Sequence, residues 1–314
     1  MTGGRGFLGG RIASSLAEAG HHIILGSRSK LRAPPWLPKA KTVVMQWDDL
    51  QSLQKACTQV DVVIHAAGMN SKECAVDPVS ALTVNGVATA RLVEAAEAAG
   101  VARLIYLSTA HVYAAPLAGN ITEASCPKNL HPYATSNVAG ECAVLNAHAR
   151  AKIHGIVLRL TNAVGAPMDE KADCWGLLAN DLCRQAVVEG KLALQTNGQQ
   201  QRDFVAISEI CRTVRFLTES DQSSMTSGLF NCGSGISRSI LAFAELIQQR
   251  SRQVLGVTPV ISKSEDVKSL ASKPLVFQSA RLAKLGPLMT NGLTTEIDQL
   301  LAYCDREFSS KLGR

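Results

Sequence analysis

Several things are scarce in this chain of 314 residues, and each scarcity removes a class of function. No apolar run approaches the roughly 20 residues that a membrane-spanning helix needs, and the amino terminus carries no secretory-signal pattern. Charged residues make up only 18% against 46% hydrophobic, which argues against general disorder and for a substantial core. The net charge is a modest +6, and the basic residues are scattered. No basic run suggests a nucleic-acid or membrane surface. The nine cysteines are dispersed, with no CxxC pair and no Cys/His cluster at zinc spacing. No metal site is expected, and the thiols read as buried and reduced in a cytoplasmic protein. There is no solenoid-type repeat.

What is present is punctuated by glycine. Gly3, Gly6 and Gly9 form a GxxGxxG turn that runs straight into a helical stretch, Arg11 to Ala19. Glycines at this spacing let the backbone turn tightly and approach a pyrophosphate, while the helix start directs N–H groups at an anion. Three glycines in ten residues also make an ordinary turn, so the spacing alone decides nothing.

Strand-like and helix-like segments then alternate. Short apolar runs at 22–26, 42–45, 61–65, 104–107 and 155–160 read as strands, with helices at 49–58, 78–99 and 131–151. Continuous rather than alternating apolar residues imply strands covered on both faces. The expected architecture is α/β, a doubly wound parallel sheet with right-handed crossovers. Beyond Gly165 the rhythm loosens: helices are expected at 175–189, 239–252 and 294–306, and strands at 204–207 and 229–232. We therefore divide the chain into residues 1–165, with 203–232 returning to them, and a smaller carboxy-terminal lobe of 166–202 and 233–314.

In an open parallel sheet, ligands bind beyond the carboxyl ends of the strands, so chemistry should follow each strand. After the second comes Gly26-Ser27-Arg28. An acidic residue there would suit the ribose hydroxyls of NAD; Ser27 with Arg28 suits a 2′-phosphate, and the reading leans to NADP over NAD. After the strand ending at Leu107 come Ser108 to Tyr113, and the next helix opens His131-Pro132-Tyr133-Ala134-Thr135-Ser136-Asn137.

Taken in order, these landmarks resemble the extended short-chain dehydrogenase/reductases of the NAD-dependent epimerase/dehydratase family, which act mostly on nucleotide-sugars. The resemblance runs from Thr2–Gly9 through Asp49-Leu50, Asp61–Ala67, Asp77-Pro78 with Asn85, and Ser108–Tyr113 with Tyr133. It continues through Leu158–Asn162, Gln201–Val205 and Asn231–Gly235, nearly the whole chain. It implies a Rossmann domain in which Gly3, Arg5, Gly6, Phe7, Leu8, Gly9, Ser27, Arg28, Asp49, Leu50, Ala66, Ala67, Gly68 and Asn85 hold the dinucleotide. Tyr133 would exchange a proton with a sugar hydroxyl or ketone while Thr109 bonds the same oxygen, and both Tyr133 and the residue one turn later would meet the cofactor. Substrate contacts would fall to Thr109, His111, Asn162 and Arg202, the arginine suiting a nucleotide diphosphate. The family commonly pairs through two helices per subunit, which implies a homodimer.

Two departures stand out. The family lysine four residues after the tyrosine is Asn137 here, an uncharged residue where an ammonium would lower the phenol pKa. This leaves three readings: a slow or reduction-biased enzyme, an enzyme with a displaced base, or a dinucleotide-binding sensor or scaffold without catalysis. A reductase of a non-sugar ketone is a further alternative. The acidic pair that family dehydratases carry after the threonine is replaced by Ala110 and His111, so epimerase and ketoreductase outrank dehydratase. The second departure is at the start: the family leads into its glycine turn with a buried mid-sheet strand, of which only Thr2 and Gly3 remain. The expectation is a truncated chain with Met1 an internal residue.

Overall fold

The computed structural model describes residues 1–221, 226–264, 273–286 and 291–309. Helix α1 (Phe7–Glu18) starts directly at the glycine turn and buries Ile12, Ala13 and Leu16. Then follow β1 (Ile24–Ser27), β2 (Lys41–Val44), α2 (Leu50–Cys57), β3 (Val62–His65), α3 (Ser71–Val76) and α4 (Pro78–Ala81). A π-helical segment, Leu82–Val87, joins α4 to α5 (Ala88–Ala98), so the long helix expected over 78–99 carries a widened turn. Such turns concentrate at functional sites. The next elements are β4 (Arg103–Thr109), a 3-10 turn at Ala110–Val112, β5 (Gly119–Ile121), α6 (Pro132–Ala149), β6 (His154–Leu160) and β7 (Asn162–Val164). The carboxy-terminal part contains α7 (Leu178–Val188), β8 (Lys191–Leu194), β9 (Gln201–Ala206), α8 (Ile207–Glu219) and β10 (Leu229–Cys232). It ends with β11 (Ser237–Ser239), α9 (Ile240–Leu255), β12 (Val260–Lys263), β13 (Leu275–Phe277), α10 (Ala280–Leu285) and α11 (Leu293–Phe308).

The fold is α/β around a parallel sheet. Strands β10, β6, β4 and β3 lie side by side, and β1 pairs with β2. Side chains alternate across it. Ile64, Ile105, Ile156 and Leu158 meet α1 and α8 on one face, while Val63, Leu104, Tyr106 and Val157 meet α2, α5 and α6 on the other. Each such buried aliphatic chain contributes about 1.5–3 kcal/mol, and two-sided burial is why the strands read as unbroken apolar runs. The lobe has its own core, where Phe204 and Phe243 stack at 3.8 Å between α7, α9 and α11.

Between β1 and β3 the sheet is continued by Met1 and Thr2, Met1 donating to the Ile24 carbonyl at 2.7 Å and accepting from the Gly26 N–H at 2.8 Å. Thr2 bridges Gly26 on one side and His65 on the other, and donates its N–H to Ile64 at 3.0 Å. Behind it lies a cavity of about 660 Å³ bounded by Met1, Leu16, Ile24, Val43, Val62 and Leu92.

Two expectations need adjusting. Residues 204–207, read as a return to the main sheet, belong to β9, which pairs with β7 and β11 in a separate small sheet; Ile207 opens α8 instead. Among the described residues beyond Gly165, β10 alone rejoins the main sheet, beside β6. All nine cysteines are free, Cys126 and Cys142 alone being exposed. Among the described residues no helix is long and apolar enough to cross a membrane.

Candidate active site

A cleft of about 670 Å³ opens beyond the carboxyl ends of β1 and β3, lined by the glycine turn, Gly26–Arg28, Trp47, Asp48, Ala66–Met69 and Arg91. The turn is built for close approach. Gly3 has φ +62°, and a Cβ there would sit 2.5 Å from the Ala66 carbonyl oxygen. A Cβ on Gly9 would collide with the Gly3 carbonyl. Gly6 is the N-cap of α1 and offers no side chain, and the first turn holds no acid, so the helix-start N–H groups are left for an anion. The side chains of Phe7 and Leu8 point away: Phe7 packs with Ala172, Cys174 and Ile207, and Leu8 lies half-buried beside it.

At the far end of this cleft, Arg28 is exposed on the rim, Arg5 donates to the Arg32 carbonyl, and Arg91 donates to the Trp47 carbonyl at 3.0 Å. Three guanidiniums thus gather beside Ser27. Asp49 does not join them. Its carboxylate accepts the N–H groups of Gln51 and Ser52 as the N-cap of α2, and Leu50 is outside the lining; Trp47 and Asp48 stand in the cleft instead. Asn85, in the π-helical segment, accepts from the Met69 N–H at 2.8 Å and donates to Ser136 at 3.0 Å. It is 2% exposed and braces the cleft floor from beneath.

The second cluster stands where β4 ends. Thr109 is buried at its last position, and its hydroxyl accepts the His111 N–H at 3.1 Å. Tyr133 lies in the first turn of α6, behind the N-cap His131 and Pro132. Its phenol lies close enough to the Thr109 hydroxyl to feel it. Burial pushes that phenol above its ordinary 10, the Thr109 hydroxyl partly opposes the rise, and nearby Cys74 adds to it. A phenol raised in this way is protonated at neutral pH: a ready proton donor and a poor base.

Asn137, one turn further on, is turned into the protein. Its Nδ2 donates to the Tyr133 carbonyl at 2.7 Å and its Oδ1 accepts from the Tyr106 hydroxyl at 2.9 Å. It is 6% exposed, with both polar atoms engaged by the protein itself. Below it, Glu141 forms a buried ion pair with Arg159 at 2.6 Å and accepts from Ser108. Arg159 also lies 4.7 Å over the Tyr113 ring. This support for α6 on β4 and β6 escaped the sequence reading, although Glu141 falls four residues after Asn137, on the same helix face.

Arg202 faces this cluster from β9. It makes only long bonds, 3.4 Å each, to Asn162 and Gln200, and among the described residues no carboxylate pairs with it. Asn162 is held by donating to the Asp203 carbonyl at 2.8 Å. His111 sits close enough for Arg202 and His131 to add to the effect of burial, which together lower its pKa to about 4. It is therefore neutral at pH 7. Thr109, Tyr133, His111, Asn162 and Arg202 thus come together at the strand ends. Among the described residues no His/Cys/Asp/Glu group could hold a metal.

A cleft floored by a glycine turn at the strand ends of a doubly wound sheet, with a tyrosine beside a threonine at the end of β4, defines a nucleotide-cofactor-binding protein of the Rossmann class. The chain belongs to the NAD-dependent epimerase/dehydratase family, whose model matches residues 1–233. It is 28% identical over 268 residues to the dTDP-D-glucose 4,6-dehydratase of Mus musculus, covering 79% of this chain and 71% of the relative. It is 28% identical over 269 residues to the dTDP-6-deoxy-L-talose 4-dehydrogenase (NAD(P)(+)) of Kitasatospora kifunensis, covering 83% and 81%. The solved Thermus thermophilus UDP-glucose 4-epimerase in complex with NAD superposes with a TM-score of 0.78 at 21% identity, over 98% of both chains.

Proposed function

We propose that this protein is a nicotinamide-dinucleotide-dependent epimerase or ketoreductase of nucleotide-sugars, with Tyr133 as its proton donor and acceptor. The observation that carries the reading is the Thr109–Tyr133 pair facing Arg202, a guanidinium that no carboxylate among the described residues pairs with. The residues of the first cleft fit the cofactor: the bare glycine turn and the open start of α1 suit its pyrophosphate, and Arg28 and Arg5 favour a 2′-phosphate, hence NADP over NAD. When bound, the nicotinamide takes up or returns a hydride at the sugar carbon.

The chain's own residues divide the remaining work. Thr109 orients the reacting oxygen, and Tyr133 donates its proton to that oxygen as it gains charge. Neutral His111 can hydrogen-bond a sugar hydroxyl without adding charge, and Arg202 binds a diphosphate bidentately. Among the described residues no cation shifts Tyr133, so proton donation in a reduction is favoured over proton removal in an oxidation. The engaged amide of Asn137 supports a second reading, a dinucleotide-responsive protein without turnover. We also propose a homodimer through the α4–α5 rod and α6, where Val79, Leu82 and Val87 are 75%, 48% and 47% exposed.

The test is a panel of UDP- and dTDP-sugars and their 4-keto derivatives with NADPH, NADH and the oxidised forms, read at 340 nm and by product chromatography. Turnover of a keto-sugar that is lost in Tyr133→Phe supports the enzyme. Binding of NADPH with no turnover on any substrate favours the second reading.

A further inference from the structure

His65 ends β3 directly under the cofactor cleft and is 1% exposed. Both ring nitrogens are bonded: Nδ1 to the Thr2 hydroxyl at 2.6 Å and Nε2 to the Thr89 hydroxyl at 2.9 Å. Counting protons gives the direction of each bond. A hydroxyl has one hydrogen, and Thr89 gives its own to the Asn85 carbonyl at 2.7 Å, so Thr89 accepts from His65 and Nε2 carries the hydrogen. Burial keeps the ring neutral, lowering its pKa to about 3, so Nδ1 is bare and accepts from Thr2. Thr2 in turn accepts from the Ala67 N–H at 3.3 Å.

One directed chain results: Ala67 N–H to Thr2, Thr2 to His65, His65 to Thr89, Thr89 to Asn85. It ends on the Asn85 backbone carbonyl, and the side chain of the same residue separately accepts from the Met69 N–H at 2.8 Å. Ala67 and Met69 are two points on the same cleft-lining loop, so the imidazole holds one through Thr2 and, through Thr89, anchors the backbone of the residue that holds the other. Thr2 immediately precedes Gly3, whose missing Cβ lets the glycine turn lie against Ala66 and Ala67. The ring itself is fixed between Tyr106 and Trp47, with centroids at 5.3 and 5.9 Å.

We infer that His65 is a positioning residue of the cofactor cleft: as a neutral Nε2–H imidazole it fixes the glycine turn against the Ala66–Met69 loop and thereby sets dinucleotide affinity. This rests on the reading of the cleft as a dinucleotide site. The same ring merely filling space would need neither nitrogen in a defined state.

The experiment uses the full chain, with NADPH fluorescence titrations at a temperature where circular dichroism shows every variant folded. His65→Phe keeps the ring and loses both bonds, and is expected to weaken NADPH binding about 10-fold, as for the loss of a hydrogen-bond or two. His65→Asn keeps an acceptor for Thr2, His65→Gln a donor for Thr89, and each is expected to recover part of that loss. Nitrogen-15 NMR of the wild type is expected to show Nε2 protonated and Nδ1 bare between pH 6 and 8. Wild-type affinity in folded His65→Phe, or a protonated Nδ1, overturns the inference. Should His65→Phe fail to fold, the Asn and Gln variants and the tautomer decide it in the same way. A wild type that binds neither NADPH nor NADH overturns the dinucleotide reading itself, and the inference with it.

Discussion

Replacing Asn137 by lysine probes the site most directly, because the structure opposes two consequences of the change. The ammonium would stand one helical turn from Tyr133. At about 4 Å and an effective dielectric constant of about 20, such a pair is worth about 4 kcal/mol, which corresponds to roughly three pKa units on the phenol. Proton removal by Tyr133 would then come within reach of neutral pH. Against this, lysine has no acceptor for the Tyr106 hydroxyl, which is 3% exposed and now donates to Asn137. Leaving a buried donor unmet costs about 1–3 kcal/mol, and burying the ammonium adds to it. We expect Asn137→Lys to lower stability by about 2–4 kcal/mol in urea unfolding. It should also shift the ascending limb of the oxidative pH–rate profile, where Tyr133 loses its proton, down by up to about three units. Adding Tyr106→Phe removes the stranded hydroxyl and should return about 1–2 kcal/mol. A single mutant as stable as the wild type, or a double mutant no better than the single, would refute the description of Asn137 as an inward-facing, doubly engaged amide.

Other residues give simpler tests. Gly9→Ala drives a Cβ into the Gly3 carbonyl, and NADPH binding by fluorescence should be lost. Arg202→Ala should raise KM for a nucleotide diphosphate-sugar about 100-fold, with NADPH affinity unchanged, since its charge-assisted contacts are worth about 1.5–3 kcal/mol. Breaking the buried Glu141–Arg159 pair with Glu141→Gln should cost about 3–5 kcal/mol of stability by urea unfolding. His65 and His111 are held neutral in the folded chain to about pH 3 and 4. The unfolded chain takes up protons there below about 6.5, so stability should be full above pH 6.5 and fall as pH drops toward 4, with about two protons taken up on unfolding. His111→Asn should remove one of them in a pH series of thermal melts.

How far the sequence could be read depended on how local each feature is. The glycine turn, the apolar runs of β3, β4 and β6 and the alanine-rich helices declare themselves, because two-sided burial and tight turns constrain residue type directly. Helix α8 went unread although Ile210, Val214 and Leu217 fall at helical spacing, because the apolar start at 204–207 invited a strand. Two adjacent aspartates after β2 could not be told apart by type: which one caps α2 and which lines the cleft depends on the start of the helix. Asn137 illustrates a different limit. Its identity is plain in the chain, yet its engagement by Tyr106 is a contact across 31 residues that spacing does not reveal. The ion pair beneath Thr109 and the chain through His65 are equally non-local.

The junction at Met1 and Thr2 bears on how the molecule holds together. Strands β1 and β2, with the arginine-lined rim, meet the β3–β10 block through these two residues: Met1 bonds Ile24 and Gly26 on one side, and Thr2 bonds Ile64 and Ala66 on the other. A dinucleotide lying in the cleft would touch both sides of that junction, Gly26–Arg28 on one and Ala66–Met69 on the other. Ligand binding would then act as a clasp across the junction, and its contribution to thermal resistance would grow with the logarithm of ligand concentration. Cofactor supply and structural integrity would be one quantity in this protein, measured from two ends.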